Sequence, residues 1–140
     1  MFLQQLTALR YLLAMVLVFS LAGSIVLPTF GGIALNTIDP AARMTERGQL
    51  IFITGPITCT AGERVTLHIT VTQRSTGAVG QGRTRFTCAG VLQQWEARAV
   101  SHGTALFEEG PATAVALART RARGVPTDAH QWLAELTLLE

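Results

Sequence analysis

The run from Val65 to Thr72 constrains the fold of this chain more than any other. Val65, Leu67, Ile69 and Val71 alternate strictly with Thr66, His68, Thr70 and Thr72. Successive side chains of a strand point to opposite faces, so this run presents one apolar face and one polar face. A helix would scatter the same residues around its axis. Val, Ile and Thr dominate it, and they suit a half-buried pleated surface. A lone strand has no stable existence in water, so further strands must pair with it.

Those strands are visible elsewhere. Gln49 to Gly55 places Leu50, Phe52 and Thr54 on one face and Ile51 and Ile53 on the other. In the segment from Gly82 to Cys88, Phe86 and Cys88 share one parity, while Arg83, Arg85 and Thr87 share the other. Trp95, Ala97 and Ala99 fall together between Gln93 and Val100. Ala112 to Arg123 is rich in alanine, which favours a helix by propensity. Its alternation favours a strand, with Val115, Leu117, Arg119, Arg121 and Arg123 on one side and small residues on the other. Gln131 to Leu139 closes the set, with Trp132, Ala134, Leu136 and Leu138 together. Turns are expected at Ala61 to Glu63, at Arg74 to Gly82, at Glu108 to Pro111 and at Gly124 to Pro126. The sum is about seven short strands, an all-β domain. The expected form is an antiparallel β-sandwich, immunoglobulin-like, or a small barrel, following an N-terminal hydrophobic helix. The immunoglobulin pattern of a Trp between two Cys is absent, because Trp95 follows the second cysteine.

The hydrophobic helix is expected because residues 11 to 38 carry no charge, with Arg10 as the only charge before them. The apolar run from Tyr11 to Leu27 is long enough for a helix of about 25 Å, slightly short of a hydrocarbon core of roughly 30 Å. Residues 1 to 34 are expected to be a signal peptide, with small residues at Ser20 and Ala22 and a second cleavage point after Ala34, or else a retained signal anchor with a cytoplasmic N-terminus. Residues 35 to 47 then form a linker or first strand lead, and residues 48 to 140 the β domain. Both readings place that domain outside the cell or in its envelope. The cysteines agree. Cys59 and Cys88 are the only two, 29 apart, without metal-ligand spacing. Beyond an export segment, such a pair reads as a disulfide.

Chemistry is sparse. Every basic side chain is Arg, and the absence of Lys removes Schiff-base, P-loop and kinase-type lysines. From Leu35 onward, ten Arg and nine acidic residues leave a charge of +1, too little for a nucleic-acid partner. His68, His102 and His130 lack HExxH or HxH spacing, so no metal is expected, and no cofactor motif is present. Ser101, His130 and Asp128 could be imagined as a triad, but there is no nucleophile elbow. Adjacent Glu108 and Glu109 read as a solvated turn rather than a catalytic carboxylate pair. The chain is therefore read as non-enzymatic.

Arginine supplies the remaining feature. Arg83 and Arg85 share one strand face, and Arg119, Arg121 and Arg123 share another. If those strands are neighbours, five guanidinium groups make one surface for an acidic glycan, a lipid headgroup or an envelope protein. The bland counterpart is a solvated sheet edge.

Several longer segments carry a resemblance. NTIDP (Asn36 to Pro40), TGPITCTAGERVTLHITVTQRSTGAVGQGRTRFTC (Thr54 to Cys88), QQWE (Gln93 to Glu96), FEEGPATAVALARTR (Phe107 to Arg121) and TDAHQW (Thr127 to Trp132) resemble a group of small exported bacterial proteins of unassigned function. The likeness rests on the framework of Cys59, Cys88, Trp95 and Trp132. It implies a signal peptide followed by one compact β domain, and it assigns no catalytic residue. The expected function is an exported, noncatalytic binding or envelope-structural protein. A membrane-anchored accessory subunit and a small secreted hydrolase are the alternatives.

Overall fold

The computed structural model describes residues 31–140. Eight strands account for most of them: β1 (Ile33–Asn36), β2 (Ala41–Thr45), β3 (Leu50–Cys59), β4 (Arg64–Gln73), β5 (Ala78–Thr87), β6 (Gln93–His102), β7 (Gly110–Ala122) and β8 (Val125–Leu139). A short 3-10 turn, Glu46–Gly48, joins β2 to β3. No helix among the described residues is long and apolar enough to cross a membrane. The signal-peptide or anchor expectation for residues 1 to 34 falls almost wholly outside the described residues.

The sheet closes on itself. β3 pairs with β6 along one edge, from Leu50 opposite Val100 to Ile57 opposite Gln93. Its other edge is shared by β2, along Leu50 to Phe52, and β1, along Ile57 to Cys59. From β2 the order runs through β8, β7, β4, β5 and β6 back to β3. The result is a barrel of seven strands, with β1 as a short flap beside β3. This corrects the sandwich and immunoglobulin-like expectation and keeps the small barrel. The physical reason is β2, whose residues Ala41 to Arg43 pair in parallel with Thr137 to Leu139. That pairing seals two edges that a sandwich would leave open, and closure removes strand edges altogether.

Side chains fill the interior. Ile51, Ile53 and Ile57 of β3 and Val65, Leu67, Ile69 and Val71 of β4 are buried, every second residue. Ala112, Ala114, Ala116 and Ala118 give β7 a thin inner wall. Large side chains from some strands thus meet small ones from others, which is how a narrow barrel reaches close packing. The alanine-rich segment forms a strand as expected, because pairing with β4 and β8 outweighs local propensity.

Two glycines read as turn residues serve that packing instead. Of Gly77, Gly80 and Gly82, only Gly77 has positive φ, at 74°. Gly80 lies within β5, and a Cβ there would press on the Phe107 ring. Gly82 likewise makes room for the Arg98 carbonyl. β5 therefore begins at Ala78, four residues earlier than the expected strand at Gly82. The turn expected at Gly124 to Pro126 is tighter too, since β8 already starts at Val125.

Gln73 is completely buried and imitates a strand neighbour. Its Nε2 donates to the Glu108 carbonyl at 2.8 Å, and its Oε1 accepts from the Glu108 N–H at 2.9 Å. Replacing Gln73 with Ala leaves both backbone groups without partners. The expected loss is about 2–3 kcal/mol, read as a lower denaturant midpoint at unchanged slope.

The barrel has two ends. The strand directions put the turns at Thr60 to Glu63, Ala89 to Leu92 and Arg123 to Gly124 at one end, together with Gly31 and Gly32. At the other end lie Glu46 to Gln49, Arg74 to Gly77, Gly103 to Glu109 and the C-terminus. Cys59 and Cys88 are bonded at the first end, with Cα atoms 5.6 Å apart. β5 and β6 pair only over Val79 to Gln81, near the opposite end. The disulfide ties β3 to the end of β5 where that ladder has run out. Gln93 reinforces the same gap, accepting from the Ala89 N–H at 2.7 Å.

Candidate anion-binding face

Strand order decides where the arginines meet. β5 and β7 are not neighbours, but both flank β4. Arg83 lies opposite His68, and Arg85 opposite Thr66. Across the other edge of β4, Arg119 lies opposite Thr66 and Arg121 opposite Arg64. The inner parity of β4 is buried, so Arg64, Thr66 and His68 belong to the outer wall. Arg83, Arg85, Arg119 and Arg121 are all exposed.

These residues form two rails and a floor. Arg83 and Arg85 make one rail, Arg119 and Arg121 the other, and Thr66 and His68 lie between them. Together they line a groove of about 390 Å³. Two strand spacings separate the rails, roughly 10 Å, and residues two apart on one rail are about 7 Å apart.

The face is basic, its nearest carboxylate being Asp128, which lines the neighbouring depression beside Arg119 and Arg121. Three rows cross the wall from β5 through β4 and β7 to β8. They read Arg83, His68, Leu117 and Gln131; then Arg85, Thr66, Arg119 and Ala129; then Thr87, Arg64, Arg121 and Pro126. None of these positions carries a carboxylate. Directly opposed like charges destabilise a sheet, as at Arg64 and Arg121. A bound anion relieves that repulsion. Guanidinium groups offer paired donors that match carboxylate, sulfate or phosphate oxygens.

Other cations are placed differently. Arg123 sits in the β7–β8 turn at φ 52°, out of the alternation, so it does not join the groove. It lines a separate depression with Gly31, Glu63 and Thr127. Arg43 and Arg98 lie over the Phe52 ring, 4.6 and 5.2 Å from its centroid. Thus four of the five arginines singled out in the sequence come together, and the fifth does not. Arg64 was missed, and Thr66 and His68 were recognised only as polar-face residues of their strand. Their shared parity in the cleanest strand was the available clue, but only the order β5–β4–β7 gives it meaning.

The imagined triad is not assembled. Ser101 pairs with Gly80 toward one end, while Asp128 pairs with Thr120 toward the other. Asp128 instead accepts from the Ile33 N–H at 2.9 Å and the Ala129 N–H at 2.8 Å. His130 lies within β8 rather than at its start and stacks on Trp132 at 5.6 Å. Trp95 is a core residue, packed against Gly55 where any Cβ would collide with its ring. Among the described residues, no three His, Cys, Asp or Glu side chains cluster as a metal site would require. No family model matches the chain, and no curated protein matches it.

Proposed function

We propose that this protein is an exported, noncatalytic binding module whose arginine groove takes a ligand bearing several oxyanions. The observation that carries the reading is the carboxylate-free wall of β5, β4 and β7, where four arginines flank Thr66 and His68. Their convergence contrasts with a net charge of only +2 for the whole chain. The Cys59–Cys88 bond is compatible with an oxidising compartment, which supports export. The uncharged run at residues 11 to 38 supports it independently.

A second observation favours a retained tether over cleavage near Ala34. Ile33 and Ala34 belong to β1, and a cut after Ala34 would remove them. It would also remove the Ile33 N–H bond to Asp128 and the two Gly32 bonds to Thr60. With the cut after Ala34 disfavoured, we read the protein as a membrane-tethered module of the envelope; a mature chain beginning just after Ala22, which would keep β1 whole, is the result that would overturn the tether.

Titration of the detergent-solubilised full chain with dextran sulfate tests the anion-binding reading. Binding should weaken as salt rises, with log K falling linearly against log salt. Undetectable binding at low salt, or affinity indifferent to salt, would defeat the proposal.

A further inference from the structure

The barrel end at which Gly31 and Gly32 lie differs from the other in charge and in how far its apolar turn residues are exposed, Leu106 and Leu139 at the other end being 39% and 48% exposed. Val91 and Leu92, in the β5–β6 turn, are 64% and 63% exposed. Val125, at the β7–β8 turn, is 62% exposed. Around the barrel these tips flank the arginine wall, Val91 and Leu92 beyond β5 and Val125 beyond β7. Arg64, Arg121 and Arg123 lie at the same end, between the tips.

Its acidic groups are internally engaged. Glu63 is buried, and its carboxylate accepts from the Thr127 hydroxyl at 2.9 Å. Asp128 is bound to two backbone N–H groups. At the opposite end, Glu46, Glu108, Glu109 and Glu140 outnumber Arg43, Arg47 and Arg74. The charge therefore runs from basic to acidic along the barrel axis.

Gly31 and Gly32, the first described residues, lie at this same end of the barrel. They pass against the carboxylates of Glu63 and Asp128, in space that a side chain would occupy. The uncharged run of the sequence thus meets the barrel at its basic, apolar-tipped end.

Resting on the tethered anion-binding reading above, we propose that this end docks onto the anionic bilayer holding the N-terminal segment. Val91, Leu92 and Val125 enter the headgroup layer, and the arginines between them meet lipid phosphates. Exposed apolar tips flanked by arginine match an interface with a wet, negatively charged outer layer and hydrocarbon below. The acidic end then faces away from like charge.

Hydrogen exchange of the full chain in nanodiscs tests this. One set contains phosphatidylglycerol and phosphatidylcholine, the other phosphatidylcholine alone. Amides of residues 89 to 92 and 123 to 125 should exchange at least tenfold more slowly in the anionic discs. The V91D/L92D variant, changed only at exposed positions, should lose that protection. Equal exchange in the two sets would overturn docking, as would protection that survives V91D/L92D. Dextran sulfate titration separates the two claims. Intact polymer binding with flat exchange defeats docking alone, whereas lost polymer binding defeats the groove itself.

Discussion

Replacing Cys59 and Cys88 together with Ser is expected to lower stability by about 3–4 kcal/mol, an upper estimate from loop-closure entropy over their separation. A domain of this size has a total stability of roughly 5–15 kcal/mol, so the loss is a large share of it. The position of the bond adds a local argument. β5 and β6 pair only between Val79–Gln81 and Val100–His102. From Gly82 to Thr87 that edge of β5 has no ladder partner on β6, and the disulfide ties down its end. Its loss should therefore open one region first. Exchange should rise most at residues 82 to 92, with less change at the β4–β7 ladder, where Arg64 to Thr72 are continuously paired. Denaturant melts of the bonded and Ser forms measure the global term, and hydrogen exchange measures the local one. A change below about 1 kcal/mol, or exchange that rises evenly, would show that the seam holds without the bond.

The second large effect concerns ligand binding. Arg85→Glu combined with Arg119→Glu places a carboxylate on each rail, on either side of Thr66. Each change removes a charge-assisted contact and adds repulsion. At about 1.5 kcal/mol or more per contact, the pair should weaken dextran sulfate binding by about 100-fold or more. The folded state should tolerate the change, because both positions are exposed and each faces Thr66 rather than a core side chain. Arg43→Glu combined with Arg98→Glu is the matched control, since both arginines lie over Phe52 on another part of the wall and the change in net charge is the same. It alters net charge without entering the groove, so its effect on binding should stay within about threefold. Equal losses in the two variants would mean that the polymer senses overall charge rather than the groove.

Much of this architecture is legible in the residues, and the illegible part has one cause. Strict alternation at Val65 to Thr72 and the parity of Ala112 to Ala118 report local geometry, and both segments are strands. The cysteine pair is equally legible, because the only two cysteines lack metal-ligand spacing, and they are bonded to each other. Closure of the barrel depends on β2 pairing in parallel with β8, almost 100 residues later along the chain. No local pattern in Ala41 to Thr45 announces it. Gly80 and Gly82 mislead for the same reason, since their smallness serves Phe107 and Arg98, which arrive from distant segments. The arginine face lies between these cases. Alternation shows that Arg83 and Arg85 share a side and that Arg119 and Arg121 do too. Which strand stands between them, and therefore the contribution of Arg64, Thr66 and His68, follows only from long-range strand order.

The most direct measurement is the arginine side-chain Nε–H spectrum of the full chain during titration with dextran sulfate. Resonances of Arg83, Arg85, Arg119 and Arg121 should shift together and saturate at one ligand concentration, while those of Arg43, Arg74 and Arg98 stay in place. Shifts spread evenly over all the arginines, or confined to Arg43 and Arg98, would contradict an anion-binding groove on β5, β4 and β7.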